Sequence, residues 1–239
     1  MLVIDLFSGL GGWSAAFRDR GHEVFTVDND PRFEADLCED MFNVRPCDLP
    51  DDPTAILASP PCNRFSVMTI GKSWEAIGVE RHPRNEATVM GVGLVAKTLQ
   101  LIRAIDPPYW VMENPVGMLR KIAGPPRITT YFCAWNPGGV KKPTDLWGVI
   151  PKGIVWPKPQ KWIKASRGED AGTQDVIRGW KKTVSWSERE NADDDTVCWE
   201  RGAFGGAEAA KIPYGLSEAL CKAVEKELEG QHTEHSPGD

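Results

Sequence analysis

Cys62 stands in the stretch SPPCNRFS (59–66), directly after Pro60 and Pro61 and at the end of the apolar run TAILAS. A thiol held in a proline-stiffened loop beyond a strand is a candidate nucleophile. An isolated cysteine is more often a small buried residue. Glu113 and Asn114 close another apolar run, YWVMEN, just before Pro115. A buried carboxyl at such a place can be raised in pKa and donate a proton. Glu-Asn-Pro can also be a strand-end cap and turn. A third stretch, DLFSGLGG (5–12), sets Ser8, Gly9, Leu10, Gly11 and Gly12 between an apolar run and a helical one. Glycines there permit a tight turn and the close approach of a cofactor. Asp28 ends the next apolar run, roughly 20 residues on, where an acid suits the two hydroxyls of a ribose. The turn is not GxGxxG, no basic residue opens the helix, and the chain has no GKS/T phosphate loop. A nucleoside-containing cofactor without phosphates fits these features. They do not separate a nicotinamide from S-adenosylmethionine.

Such residues need a frame that gathers them at one edge. LVIDL (2–6), HEVFTVD (22–28), TAILAS (54–59), YWVMEN (109–114) and RITTYFCAW (127–135) are predicted strands. WSAAFRDRG (13–21), PRFEADLCEDMF (31–42), Glu86 to Ile105 and GLSEALCKAVEKELE (215–229) are predicted helices, and residues 63 to 85 a long loop. Strands alternating with helices imply an α/β fold around a largely parallel sheet. Ligands in such sheets bind beyond the carboxyl ends of the strands. After Gly148 the texture changes, for VIPKGIVWPKPQKW is broken by prolines and cannot be a regular helix. The expected division is a catalytic and cofactor-binding domain at 1–148, an irregular insert at 149–205, a returning helix at 206–230 and a polar tail at 231–239.

The chain has 239 residues and a formal net charge of -6, with 41% hydrophobic and 26% charged residues. This balance excludes a disordered tail protein. No run approaches the ~18 apolar residues of a membrane span, so no membrane partner is expected. MLVIDLFSGLGGW has no basic n-region and reads as a strand rather than a signal peptide. The six cysteines form no CxxC pair, which suits reduced thiols in a cytoplasmic protein. No metal is expected, and the chain is expected to be a monomer. Charge is uneven. Residues 141 to 189 hold eleven basic and five acidic side chains, a net +6 that leaves -12 on the rest. Five of the ten tryptophans lie in the same segment. A basic segment on an acidic body suggests a face for a polyanion. The plainer alternative is a small insert with a tryptophan core and solvating lysines.

DLFSGLGG, SPPCNRFS and VMENP, in this order and on these elements, resemble the cytosine-5 DNA methyltransferases. The resemblance covers residues 1 to about 148 and, more faintly, AKIPYGLSEAL. It implies a Rossmann-like S-adenosylmethionine-dependent sheet with a target-recognition domain inserted before the last helix, where the basic segment lies. It implies that Phe7, Ser8, Gly9, Leu10, Gly11 and Gly12 wall the cofactor pocket. By the same resemblance Asp28 holds the ribose, Asn29 lies beside the adenine and Asp48, with Leu49, meets the adenine amino group. Pro60 and Leu94 line the same pocket. Cys62 is the implied nucleophile, Glu113 contacts the target base and Asn114 fixes the loop around Cys62. The implied product is S-adenosylhomocysteine and the partner double-stranded DNA.

The chain also departs from the family. Asn63 follows the Pro-Cys where glutamine is usual, and Ala210-Lys211 stands in place of a Gly-Asn. The family's arginine-bearing QxRxR strand is absent. RITTYFCAWNPGGVKKPTDLWG takes its place, with Lys141 or Lys142 as the stand-in for an arginine. The implied chemistry is addition of a thiolate to carbon 6 of a flipped-out cytosine, with Glu113 donating to nitrogen 3. The thiol pKa is expected to be lowered or relieved during attack. Arg64 and Ser66 in the loop after Cys62, and Lys158, Lys161, Lys164, Arg167 and Arg178 in the insert, are the expected DNA contacts. Three alternatives remain open: the same chemistry on RNA, an inactive DNA-binding homologue, and a nucleotide-dependent oxidoreductase.

Overall fold

The structure is a computed structural model that describes residues 1–136, 142–158 and 210–234. Seven strands form one sheet: β1 (Leu2–Leu6), β2 (Glu23–Asp28), β3 (Leu37–Cys38), β4 (Ala55–Ala58), β7 (Tyr109–Pro115), β8 (Ile128–Tyr131) and β9 (Pro143–Val149). Their order is β3-β2-β1-β4-β7-β9-β8. The first five are parallel, while β9 runs antiparallel to both β7 and β8. The chain is therefore α/β with a mostly parallel central sheet. Strand order reverses at β1, so the carboxyl ends of β1, β2, β4 and β7 surround one crevice.

Alternation along the strands builds two cores. Ile4, Leu6, Ile56, Ala58 and Met112 face one side, with Trp147, Val95, Leu101 and Ile102. Val3, Ala55, Leu57 and Val111 face the other, with Phe17, Leu146, Leu216 and Leu220. The first side is covered by α3 (Glu86–Ile105), the second by α1 (Ala15–Asp19) and α6 (Tyr214–Glu234). The bounds of α3 agree with the sequence reading because its signals are local. The Asn85 side chain accepts from Thr88 N–H at 2.9 Å, and Asp106 ends the helix in the left-handed region. By length and composition alone this helix is also long and apolar enough to cross a membrane, as core helices often are, and here it packs on the first core.

Other elements depart from expectation. Residues 31–42 are not a helix but a 3-10 turn, Pro31–Phe33, followed by β3. Glu34 takes φ +50°, and the Asp36 carboxylate accepts from Thr26 N–H and Oγ1–H at 2.8 and 2.6 Å, which holds the chain beside β2. The expected loop at 63–85 contains α2 (Ile70–Ser73) and a hairpin of β5 (Trp74–Ile77) and β6 (Glu80–Pro83). Its anchor is Trp74, buried against Phe65 and donating to the Arg64 carbonyl at 2.6 Å. The predicted strand 127–135 is β8 and then a helical turn, α5 (Phe132–Trp135). A further turn, α4 (Leu119–Ile122), follows β7. β9 has no counterpart in the sequence reading. Ile150, Ile154 and Trp156 pack on the second core, with Trp156 edge-on to Trp135 at 5.6 Å. The terminal helix continues through the start of the expected tail to Glu234.

Candidate active site

β1 runs into the glycine turn with Phe7 at φ +59°, Gly9 at +50° and Gly11 at +66°. The Gly11 N–H donates to Ser8 O (2.8 Å) and Ser8 N–H to Val27 O (3.1 Å), which ties the turn to β2. Asp28, at the end of β2, takes Gly9 N–H on Oδ2 and Asp30 N–H on Oδ1, each at 2.9 Å. Its carboxylate thus shapes the turn as well as facing the crevice edge. Gly12 has no room for a side chain, since a Cβ would lie 2.6 Å from Ile212 N. That contact joins the turn to the AKIPYGL segment. Leu10 and Asn29 are exposed. Asp48 binds Arg45 through Nη2 at 2.8 Å and Nε at 3.1 Å, which holds its carboxyl down at about 2. An adenine amino group there would share the carboxylate with Arg45. Leu49 and Pro60 are buried, and Leu94 packs on the same core from α3.

Ser59 follows β4, and its Oγ accepts from Trp13 Nε1–H at 2.9 Å. Pro60 and Pro61 carry the chain to Cys62, and the Cys62 carbonyl accepts from Phe65 and Ser66 N–H at 3.0 and 3.2 Å. Two bolts hold this loop to the end of β7. The buried Asn114 donates from Nδ2 to Pro60 O at 2.9 Å. Met118 N–H donates to Phe65 O at 2.7 Å, and any Cβ on Gly117 would overlap that same carbonyl. Ser66 bridges Gly117, and Arg64 is half-buried beside Gly91.

Glu113 is 3% exposed on β7. Lys142, just before β9, places Nζ 3.2 Å from Glu113 Oε1 and 4.4 Å from the Phe132 ring centroid. The fully buried Thr144 on β9 donates from Oγ1 to Glu113 Oε1. Burial pushes the Cys62 thiol above its ordinary value, the Lys142 charge pulls it down, and the Glu113 charge pushes it up. In this state the thiol is raised rather than lowered, which leaves relief during attack as the expectation. Lys142 is the group whose charge favours the thiolate. On the other face of β9, the fully buried Asp145 takes Arg120 Nε and Nη2 at 2.6 Å each, and Thr129 Oγ1–H at 2.6 Å.

Three predicted residues, Cys62, Glu113 and Lys142, therefore share one electrostatic cluster, and Asn114 braces it. Sequence reasoning missed Thr144. The signal was there in the alternation Lys142, Thr144, Leu146, but polar residues around Pro143 hid the strand. Lys158 is described and exposed. Lys141, Lys161, Lys164, Arg167 and Arg178 lie outside the described residues, as does most of the expected insert. Outside the site, His22, Cys221 and Glu225 bring N, S and O ligand atoms within 4.8 Å of one another. The Glu225 carboxylate there is bound by Arg20 at 2.6 to 3.0 Å and by His22 at 2.7 Å.

A family model for C-5 cytosine-specific DNA methylase matches residues 1–125. The chain belongs to that family. The matched residues of this methylase chain include the glycine turn, Asp28, Cys62 and Glu113. Type II methyltransferase M.DdeI of Desulfomicrobium norvegicum is 27% identical over 134 residues, covering 50% of this chain and 29% of that protein. The methylase chain thus spans less than a third of that relative's length. Among solved structures, one described as a prophage-encoded DNA modification methyltransferase of E. coli matches with a TM-score of 0.44 at 20% identity. The match covers 66% of this chain and 51% of that one. A mutant of Spodoptera frugiperda DNMT2 matches with a TM-score of 0.37 at 18% identity, covering 62% and 49%.

Proposed function

We propose that this chain methylates carbon 5 of cytosine in double-stranded DNA, with S-adenosylmethionine as donor and Cys62 as a covalent catalyst. The observation that carries the reading is the grouping of Cys62, Glu113 and Lys142 at the strand edge that also holds the glycine turn and Asp28. The pocket residues suit the donor: a carboxylate at the end of β2 for ribose hydroxyls, and a backbone turn without a phosphate-binding cation. Phe7, Gly9, Gly11 and Asp28 would hold it, with Pro60 on the substrate side. When bound, the donor supplies the electrophilic methyl group that the activated carbon 5 takes.

The chain's own residues do the rest. Cys62 gives its thiol proton to the Glu113 carboxylate, and Lys142 offsets the negative charge that moves to sulfur. The thiolate forms a bond to carbon 6, and the pair of the 5,6 double bond moves to carbon 5 as Glu113 gives a proton to nitrogen 3. After methylation, loss of the carbon-5 proton to water restores the 5,6 double bond and expels Cys62 as thiolate, and nitrogen 3 returns its proton to Glu113. Carbon 6 is out of reach in stacked DNA, so the base must leave the helix. Asn114 and Gly117 keep the Cys62 loop in register with β7 as it does.

Incubation with random-sequence DNA duplexes containing 5-fluorocytosine, plus S-adenosylmethionine, tests this. Fluorine cannot leave as a proton does, so a covalent adduct at Cys62 is expected. Cys62→Ser should form none while still binding the donor. Adducts on RNA alone, or full methyl transfer by the serine variant, would overturn the reading.

A further inference from the structure

We infer that Thr144 is a positioning residue for Glu113, and that with Lys142 it replaces the missing arginine-bearing strand. This rests on the methyltransferase reading above. The register pairs Glu113 with Leu146 and Pro115 with Thr144, so Thr144 sits diagonally from Glu113 on the same face of the sheet. Its hydroxyl and the Lys142 ammonium both meet the carboxylate at Oε1. These are the contacts found on Glu113 among the described residues. Of the two acceptor sites on Oε1, one takes the Thr144 hydroxyl, and the Lys142 ammonium is paired with the same oxygen. Oε2 is left as the oxygen that Glu113 turns towards the base and that carries the proton for nitrogen 3. Lys142 alone would fix charge but not direction, because an ammonium on a flexible stem is a point charge. A fully buried β-branched hydroxyl fixes direction. On the opposite face, the Arg120–Asp145 pair stops β9 from sliding.

The plainer role for Thr144 is a cross-strand hydrogen bond that merely steadies the sheet. The two roles separate on rate, binding and rescue. Thr144→Val keeps shape and burial but removes the hydroxyl, and Thr144→Ser keeps the hydroxyl. The assay is single-turnover adduct formation on random-sequence duplexes containing 5-fluorocytosine, beside duplex affinity and thermal melting. A lost hydrogen bond to a charged group predicts a fall of roughly ten- to a hundredfold in adduct rate for Thr144→Val. Duplex affinity should hold within about twofold, and Thr144→Ser should recover most of the rate. If the valine variant fails to fold, Thr144→Ala against Thr144→Ser makes the same comparison. A wild-type rate in the folded valine or alanine variant overturns the proposal, as does a serine variant as slow as either. If the wild-type chain forms no adduct, the methyltransferase reading falls and takes this one with it. If the wild type reacts and the hydroxyl proves irrelevant, only the role of Thr144 falls.

Discussion

Replacing Lys142 by methionine tests whether the cluster is a compensated buried charge pair. Lys142 and Glu113 are 10% and 4% exposed in their side chains, at 3.2 Å. At an effective dielectric of about 20, unit charges at that distance attract by roughly 5 kcal/mol before desolvation is subtracted. Removing one partner of a buried pair costs about 3 to 5 kcal/mol, because the other charge stays buried without compensation. Glu113 keeps the Thr144 hydroxyl, so the lower end applies. For a chain of this size about 3 kcal/mol lowers Tm by roughly 6–12 °C. Adding Glu113→Gln removes the stranded charge and leaves an amide oxygen for Thr144, so Tm should recover by more than half. Activity should not recover. The same Lys142→Met change removes the cation that favours the Cys62 thiolate. The thiol pKa then rises further, and the pH at which Cys62 becomes half-alkylated by iodoacetamide at a fixed time moves up. Calorimetry and peptide-resolved alkylation read the two effects separately. A single variant that melts like wild type and alkylates at the same pH would refute the reasoning, for the pair would then behave as a solvated surface pair worth about 0–1 kcal/mol.

Asp28→Ala should weaken S-adenosylmethionine binding at least about tenfold, since charge-assisted bonds of roughly 1.5–3 kcal/mol each are lost. Calorimetric titration checks it, and an unchanged Kd would place the ribose elsewhere. Asp5 is fully buried on β1, and burial pushes its carboxyl up to about 7, against a smaller pull from Ser14 and Arg18. Its folded-state pKa lies above the unfolded value near ~3.9, so the folded chain holds the proton longer. Stability should therefore fall as pH rises from about 4 to about 7, by up to ~1.4 kcal/mol per pH unit, and level off above that. Denaturant titrations of Asp5→Asn should show a flatter slope across that window, and an identical slope would show that Asp5 is ionised throughout it. Replacing Lys158, Lys161 and Lys164 together by alanine should weaken binding to all duplexes alike and flatten the salt dependence measured by fluorescence anisotropy. A change confined to one sequence would assign these lysines to base recognition instead.

What the sequence determined by itself was local in origin. Four of the five parallel strands, β1, β2, β4 and β7, announce themselves by apolar runs, and the helices that cover them by helical spacing. The Asn85 cap fixes the start of α3 within one turn of chain. The glycine turn, Asp28, Cys62 and Glu113 are legible because each sits at the end of such a run, and an α/β sheet puts run ends at one edge. What only the tertiary structure decided depends on partners far along the chain. PRFEADLCEDMF has helical composition, yet Asp36 finds Thr26 and Glu34 turns left-handed, so the segment becomes a strand. The hairpin after Cys62 is held by one buried tryptophan on Phe65, a contact no local pattern encodes. β9 is the clearest case. Lys142, Thr144 and Asp145 are polar residues around a proline, unlike any free-standing strand. They form one because β7 and β8 supply hydrogen bonds on both sides, and because Glu113 and Arg120 supply the opposite charges that make burying them tolerable.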